Sequence, residues 1–181
     1  MRFYEEKTRK EVLVGVAKKM MAAARTAPKA KGVDNLVISY VEGETIKIIA
    51  DKMKEMVEDG LSPDFYIRDA NNIMDSEVLL LIATDIKPVG VKQCGLCGFS
   101  NCDEKDKNPG IPCSFNTGDL GIAIGSAVSI ACDSRVDNRI MMSVGKAAKE
   151  LNILGDKAKI IYGIPLSCTG KSPYFDRQII K

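Results

Sequence analysis

The sequence predicts a sandwich of the α+β or α/β class, with helices outnumbering strands and a cysteine-rich segment inserted on its surface. Three observations carry that prediction. Segments of helical and strand periodicity alternate along the 181 residues. The run Val78-Leu79-Leu80-Leu81-Ile82-Ala83 is apolar without interruption, as a central strand covered on both faces must be. Residues 87–112 are rich in Gly, Cys, Asp, Lys and Asn and have no periodicity, so something other than a hydrophobic core has to organise them. A chain of this length is expected to form a single domain over 1–181, with the insertion at 89–114.

The elements follow in order. Residues 4–27 predict a long helix, because Val12, Leu13, Val16, Ala17, Met20, Met21 and Ala24 recur at three- and four-residue spacing before Pro28 and Gly32 break the pattern. The methionines on that face are core residues. Leu36-Val37-Ile38-Ser39-Tyr40-Val41 is a strand. Helical period returns over Glu44–Glu58 and stops at Asp59-Gly60. Ser62-Pro63-Asp64 is a turn, and Asp69–Ser76 a short helix with Asp69 as its cap. After the apolar strand at 78–83 and the cysteine segment, a helix begins with Ser114 or Thr117 as N-cap and runs to about Cys132. Its Gly121, Gly125 and Ser126 lower helix propensity but permit close backbone approach. A strand at Asn138–Met142, an amphipathic helix at Gly145–Leu154 and a strand at Ala158–Pro165 complete the series, followed by a tail from Lys171.

Composition narrows the class of function. Basic and acidic residues nearly balance, 26 against 24, which argues against a dedicated nucleic-acid surface. The N-terminus has no signal-like apolar stretch, and the longest uncharged run, Leu120–Cys132, is too short to cross a bilayer. A cytoplasmic location is expected, where six cysteines are thiols or metal ligands rather than a disulfide framework. There is no histidine, so any metal is held by sulfur, helped at most by carboxylate or water, and imidazole general-base chemistry is excluded.

Four of the cysteines, Cys94, Cys97, Cys102 and Cys113, fall in the pattern C-x2-C-x4-C-x10-C. Four thiolates so close in sequence make one soft, four-coordinate site, suited to an iron–sulfur cluster or to zinc. Zinc sites usually show two CxxC-like knuckles and this chain has one, which favours a cluster, [4Fe–4S] ahead of [2Fe–2S]. Gly95 and Gly98 free the backbone around Cys97. The helix start beyond Cys113 favours negative charge, and an all-thiolate cluster is anionic. Lys92, Lys105 and Lys107 add to that field, against Asp103, Glu104 and Asp106. Cys132, at the end of an apolar helix, is expected to be buried and inert, and Cys168 to sit in an accessible loop.

The run Cys94-Gly95-Leu96-Cys97-Gly98 through Cys102 resembles the four-cysteine iron–sulfur module of electron-transfer subunits, with a shorter gap before its fourth cysteine. Asp119-Leu120-Gly121-Ile122-Ala123 resembles the D-x-G-x-A helix of flavin-dependent nitroreductases, Tyr162-Gly163-Ile164-Pro165 their late strand, and Ala27-Pro28 their A-P turn. The whole is similar to an uncharacterised prokaryotic family described as containing a ferredoxin-like domain. That resemblance implies an α+β, nitroreductase-like three-layer sandwich around a small mixed sheet, with FMN as a cofactor, Arg9, Pro28 and Arg177 (or Lys171) as its contacts, and a homodimer to which the apolar tail around Ile179-Ile180 could add. Lys29 to Asp34 do not reproduce the polar flavin contacts that follow the A-P pair in nitroreductases.

The resulting expectation is a redox protein that relays single electrons between the cluster and a partner protein or small-molecule acceptor, with substrate reduction at a flavin as its enzymatic form. The alternatives are a structural zinc protein and a thiol- or cluster-based redox sensor. Neither nucleic acid nor membrane is an expected partner.

Overall fold

The structure, a computed structural model, describes residues 1–175. Its helices are α1 (Glu5–Thr26), α2 (Glu44–Glu58), α3 (Phe65–Met74), α4 (Cys102–Asp106), α5 (Ser114–Asp133) and α6 (Met142–Glu150). Its strands are β1 (Leu36–Glu42), β2 (Val78–Thr84), β3 (Asp137–Asn138) and β4 (Ile160–Ser167), in the order β1-β2-β4-β3. Among the described residues every strand pair is antiparallel, where a mixed sheet was expected. The connections explain this: each strand returns from the end where the preceding helices leave it, so no parallel crossover arises.

Two apolar clusters lie on opposite faces of the sheet and make the fold three-layered. One joins α1 and α5 to Val78, Leu80, Ile82, Ile164 and Leu166. The other joins α2, α3 and α6 to Leu79, Leu81 and Ala83. Alternate residues of β2 serve alternate faces, and all seven are buried, as its unbroken apolar run predicts. Of the α1 methionines expected in the core, Met20 is fully buried and Met21 is partly buried against it; Met53 and Met56 of α2 are core as well.

Several boundaries differ from expectation. α3 begins at Phe65, directly after the Ser62–Asp64 turn, and buries Tyr66, Ala70 and Ile73. Asp69 is therefore interior to the helix, not its cap. Its buried carboxylate accepts from Ser143 Oγ at 2.6 Å and from Arg68 at 2.9 Å, tying α3 to α6. Asp69→Ala should lower stability by about 1–3 kcal/mol in urea titration, because the fully buried Ser143 hydroxyl loses its acceptor. The strand expected at Asn138–Met142 shrinks to Asp137–Asn138 plus one bridge from Met141 to Gly163. α6 takes over at Met142 and ends at Glu150, ahead of the expected Gly145–Leu154. β4 is shifted two residues later, to Ile160–Ser167, at the expected length.

α5 is long and apolar enough, by length and composition, to cross a membrane, which the expectation drawn from its uncharged run did not allow. Here it lies along α1, burying Leu120, Ala123, Ile124, Ala127 and Ala131. Ser126 Oγ donates to the Ala23 carbonyl at 3.0 Å, so the two helices meet closely at this small residue.

Candidate metal centre

The connection from β2 to α5 carries the four clustered cysteines. Its first part is docked on α5. The Lys87 N–H donates to Asn116 Oδ1 at 2.9 Å, Val89 is buried, and Lys31 Nζ donates to the Gly90 carbonyl at 3.3 Å. The cysteine turn follows. Gly95 and Gly98 both have left-handed φ, +59° and +85°, and Gly98 N–H closes a turn on the Gly95 carbonyl at 3.0 Å. A residue with a Cβ is strained at either position. Cys97 stands between them.

α4 is a single turn with a sequence-encoded start. Asn101 Oδ1 caps it by accepting from Glu104 N–H at 2.8 Å, and the Glu104 carboxylate reaches back to accept from the backbone and hydroxyl of Ser100. Those bonds from Ser100 hold the Glu104 carboxyl below the usual carboxylate range. Cys102 is the first helical residue. The chain then turns through Asn108–Ile111 and arrives at Cys113, which is itself the N-cap of α5, where Ser114 or Thr117 was expected. No side chain caps this helix. Asn116 N–H closes on the Cys113 carbonyl at 2.9 Å, and the N–H groups of Ser114 and Phe115 are left to a ligand or solvent.

All six cysteines are free thiols. Cys94, Cys97 and Cys102 are half-buried and Cys113 is buried. Among the described residues no three Cys, Asp or Glu side chains are drawn together closely enough to hold a metal ion. Chemically the site nevertheless suits a sulfur-ligated anion: four thiols with no disulfide, no competing imidazole, and two buried polar groups on the elements that carry Cys102 and Cys113. Lys105 on α4 is 2% exposed. Asn116, in the first turn of α5, is 1% exposed and its Nδ2 has no hydrogen-bond partner. The position of Lys105 was legible as part of a local basic field, but its burial was not. Asn116 was not foreseen, although its spacing of three from Cys113, matching that of Lys105 from Cys102, was a readable signal.

The other two cysteines depart from expectation. Cys132 is exposed, not buried, because it lies on the outer face of α5, while its neighbour Ala131 is fully buried on the inner face. Cys168 is half-buried against the α1/α5 core rather than freely accessible.

The residues expected to contact a flavin are separated within the chain. Arg9 lies in the second turn of α1 and is held by Glu5, at 2.7 and 2.8 Å. Pro28 is exposed just beyond the other end of α1, about 28 Å away at the rise of an α-helix. Arg177 lies outside the described residues. The segment after Pro28 has a structural task instead. Lys29 Nζ donates to the Ala24, Arg25 and Ala27 carbonyls at the end of α1, and Ala30 N–H donates to the buried Asp119 carboxylate, 3.1 Å from each oxygen. The two motifs that suggested a flavoprotein core, Ala27-Pro28 and the Asp119 helix, thus meet through one buried carboxylate. Asp119→Ala should cost about 1–3 kcal/mol and loosen the 27–34 turn, visible as faster amide exchange at Ala30. An apolar groove of about 340 Å³ opens between α5 and β4, lined by Gly121 and Gly125 of α5 and by Ile160 and Tyr162 of β4.

Comparison with known proteins places these features. An uncharacterized protein of Archaeoglobus fulgidus is 47% identical over 181 residues, spanning 95% of this chain and 96% of its own. Among solved structures, a nitroreductase family protein from Clostridium novyi NT superposes with a TM-score of 0.58 at 16% identity, covering 84% of this chain and 72% of its own. A BluB-like flavoprotein from Clostridium difficile 630 superposes with a TM-score of 0.55 at 20% identity, covering 92% and 84%. The fold is therefore that of the nitroreductases. A family described as "uncharacterized protein containing a ferredoxin domain" matches residues 109–177, a segment that includes Cys113 and begins after the other three clustered cysteines. Together with the near full-length archaeal relative, this match shows that the chain belongs to that family of uncharacterized ferredoxin-domain proteins.

Proposed function

We propose that this protein is an electron-transfer protein in which Cys94, Cys97, Cys102 and Cys113 hold one iron–sulfur centre, of the [4Fe–4S] type. The observation that carries the reading is a segment with four unpaired thiols and little apolar core of its own, bordered by a buried cation and a buried, unpartnered amide donor. Such a segment gains its order from ligand bonds. When bound, the centre would supply one-electron chemistry. The chain's part is to bring four sulfurs from a turn, a short helix and a helix start to one place, and to face them with positive charge and N–H donors. The family's description as ferredoxin-containing supports the reading.

A flavin, FMN in the first instance, forms the second part of the proposal. Its support is the fold shared with a nitroreductase family protein and a flavoprotein, together with the groove over Gly121 and Gly125. The centre would then exchange electrons with the flavin or with an external acceptor, a partner protein or a small molecule, in a homodimer.

Protein purified without oxygen should be brown, with iron and acid-labile sulfide at about four of each per chain for this cluster type. Yellow colour released on denaturation would establish the flavin, and sedimentation would give the oligomeric state. A colourless preparation holding one zinc per chain would overturn the redox reading in favour of a structural metal site.

A further inference from the structure

We infer that Lys105 and Asn116 are the two side chains that set the reduction potential of the four-cysteine centre, Lys105 through its charge and Asn116 through an N–H hydrogen bond to sulfur. The inference rests on the iron–sulfur reading above, and two independent observations lead to it.

Lys105 is buried, 2% exposed, three residues beyond Cys102 on α4, a spacing that puts both side chains on one side of the helix. Among the described residues no carboxylate pairs with it. Its acidic neighbours Asp103, Glu104 and Asp106 are exposed, and the Glu104 carboxylate is occupied by Ser100. With its stem buried, the ammonium group has little access to water, and a charge so poorly hydrated gains from a counter-charge. Asn116 stands three residues beyond Cys113. Its Oδ1 is satisfied by the Lys87 N–H at 2.9 Å, which fixes the amide's orientation and leaves Nδ2 as a buried donor without an acceptor. One residue lacks an anion and the other lacks an acceptor, and each stands three residues beyond a candidate ligand. A set of thiolates and sulfides supplies both needs. Positive charge and N–H donors favour the more negative, reduced state of such a set, so both residues should raise its potential.

The test uses the full chain, loaded without oxygen and reduced stepwise with dithionite, one electron passing from the reductant to the centre. The midpoint is followed by visible absorption and electron paramagnetic resonance. Lys105→Gln and Asn116→Asp should each lower the equilibrium constant for reduction about tenfold, a shift of about 59 mV to more negative potential. Asn116→Asp keeps the oxygen that accepts from Lys87, so the loop stays docked, while the donor gives way to an anionic oxygen whose charge acts in the same direction. Lys105→Arg keeps the charge and should titrate near wild type. Lys107→Gln, on the same stretch but exposed, should leave the midpoint in place because solvent screens that charge. If the centre forms normally and both Lys105→Gln and Asn116→Asp titrate at the wild-type midpoint, the inference is wrong while the iron–sulfur reading stands. It is equally wrong if Lys107→Gln shifts the midpoint as far as Lys105→Gln. If Lys105→Gln loses the centre, retention by Lys105→Arg upholds the need for charge, and loss in both assigns the residue to packing alone. If wild-type protein takes up no iron and sulfide, it is the underlying reading that fails.

Discussion

Gly145→Ala should unfold the protein or destabilise it by at least about 3 kcal/mol, measured by urea denaturation. In α6 the added methyl group would overlap the carbonyl of Ile161 in β4. That obstacle is backbone in a paired strand, so no side-chain rotation relieves it. α6 would have to lift off the sheet and expose Val144, Ala147 and Ala148, all fully buried. The same substitution has the opposite sign where space is open. A methyl group at Gly15, in the exposed face of α1, meets nothing within 4 Å, so Gly15→Ala should stabilise by about 0.5–1 kcal/mol through helix propensity. The contact is reciprocal. A methyl group at Gly163 in β4 would overlap the Val144 side chain, and Val144→Ala should partly rescue Gly163→Ala. A Gly145→Ala protein that denatures at the wild-type midpoint would show that α6 does not rest on β4 in this way.

Much of this architecture is legible in the chain because its elements carry strong local signals. α1 and α2 announce themselves by apolar spacing and stop just short of Pro28 and Gly60, and β2 by its apolar run over residues 78–83. The failures have physical causes. α5 is apolar on most sides, so periodicity could not say that Cys132 faces outward. β3 is short because β4 pairs with it over two residues only, a limit set by α6 docking early on β4. The Gly145–Ile161 contact that permits this docking is a tertiary one between two successive elements, and it leaves no mark on the periodicity of either. The candidate centre divides the same way. The four cysteines and the glycines between them could be read directly, whereas the burial of Lys105 and Asn116 depends on how the loop and α5 fold over them. Arg9 reads as a flavin contact through the family resemblance, and its local partner Glu5 is visible only with α1 built.

Cys97→Ala should abolish the brown colour and the bound iron, while Cys132→Ala should leave both at wild-type levels. Cys97 sits in a turn held by two left-handed glycines, and no described neighbour offers a replacement sulfur there. Cys132 ends α5, 20 residues long, so it lies about 28 Å along the helix from Cys113. The sharper case is Cys113→Ser. Cys113 has two separable tasks, as a ligand and as the N-cap of a helix with no side-chain cap. Serine is among the best N-caps and a poor substitute for thiolate. The variant should therefore lose most of its iron while its apoprotein stays as stable as the wild-type apoprotein, or gains up to about 1 kcal/mol. Loss of iron with unchanged apoprotein stability assigns Cys113 to the centre. If Cys113→Ser keeps the full iron content, the fourth ligand lies elsewhere, and the ten-residue gap that separates Cys113 from Cys102 marks a structural cysteine instead.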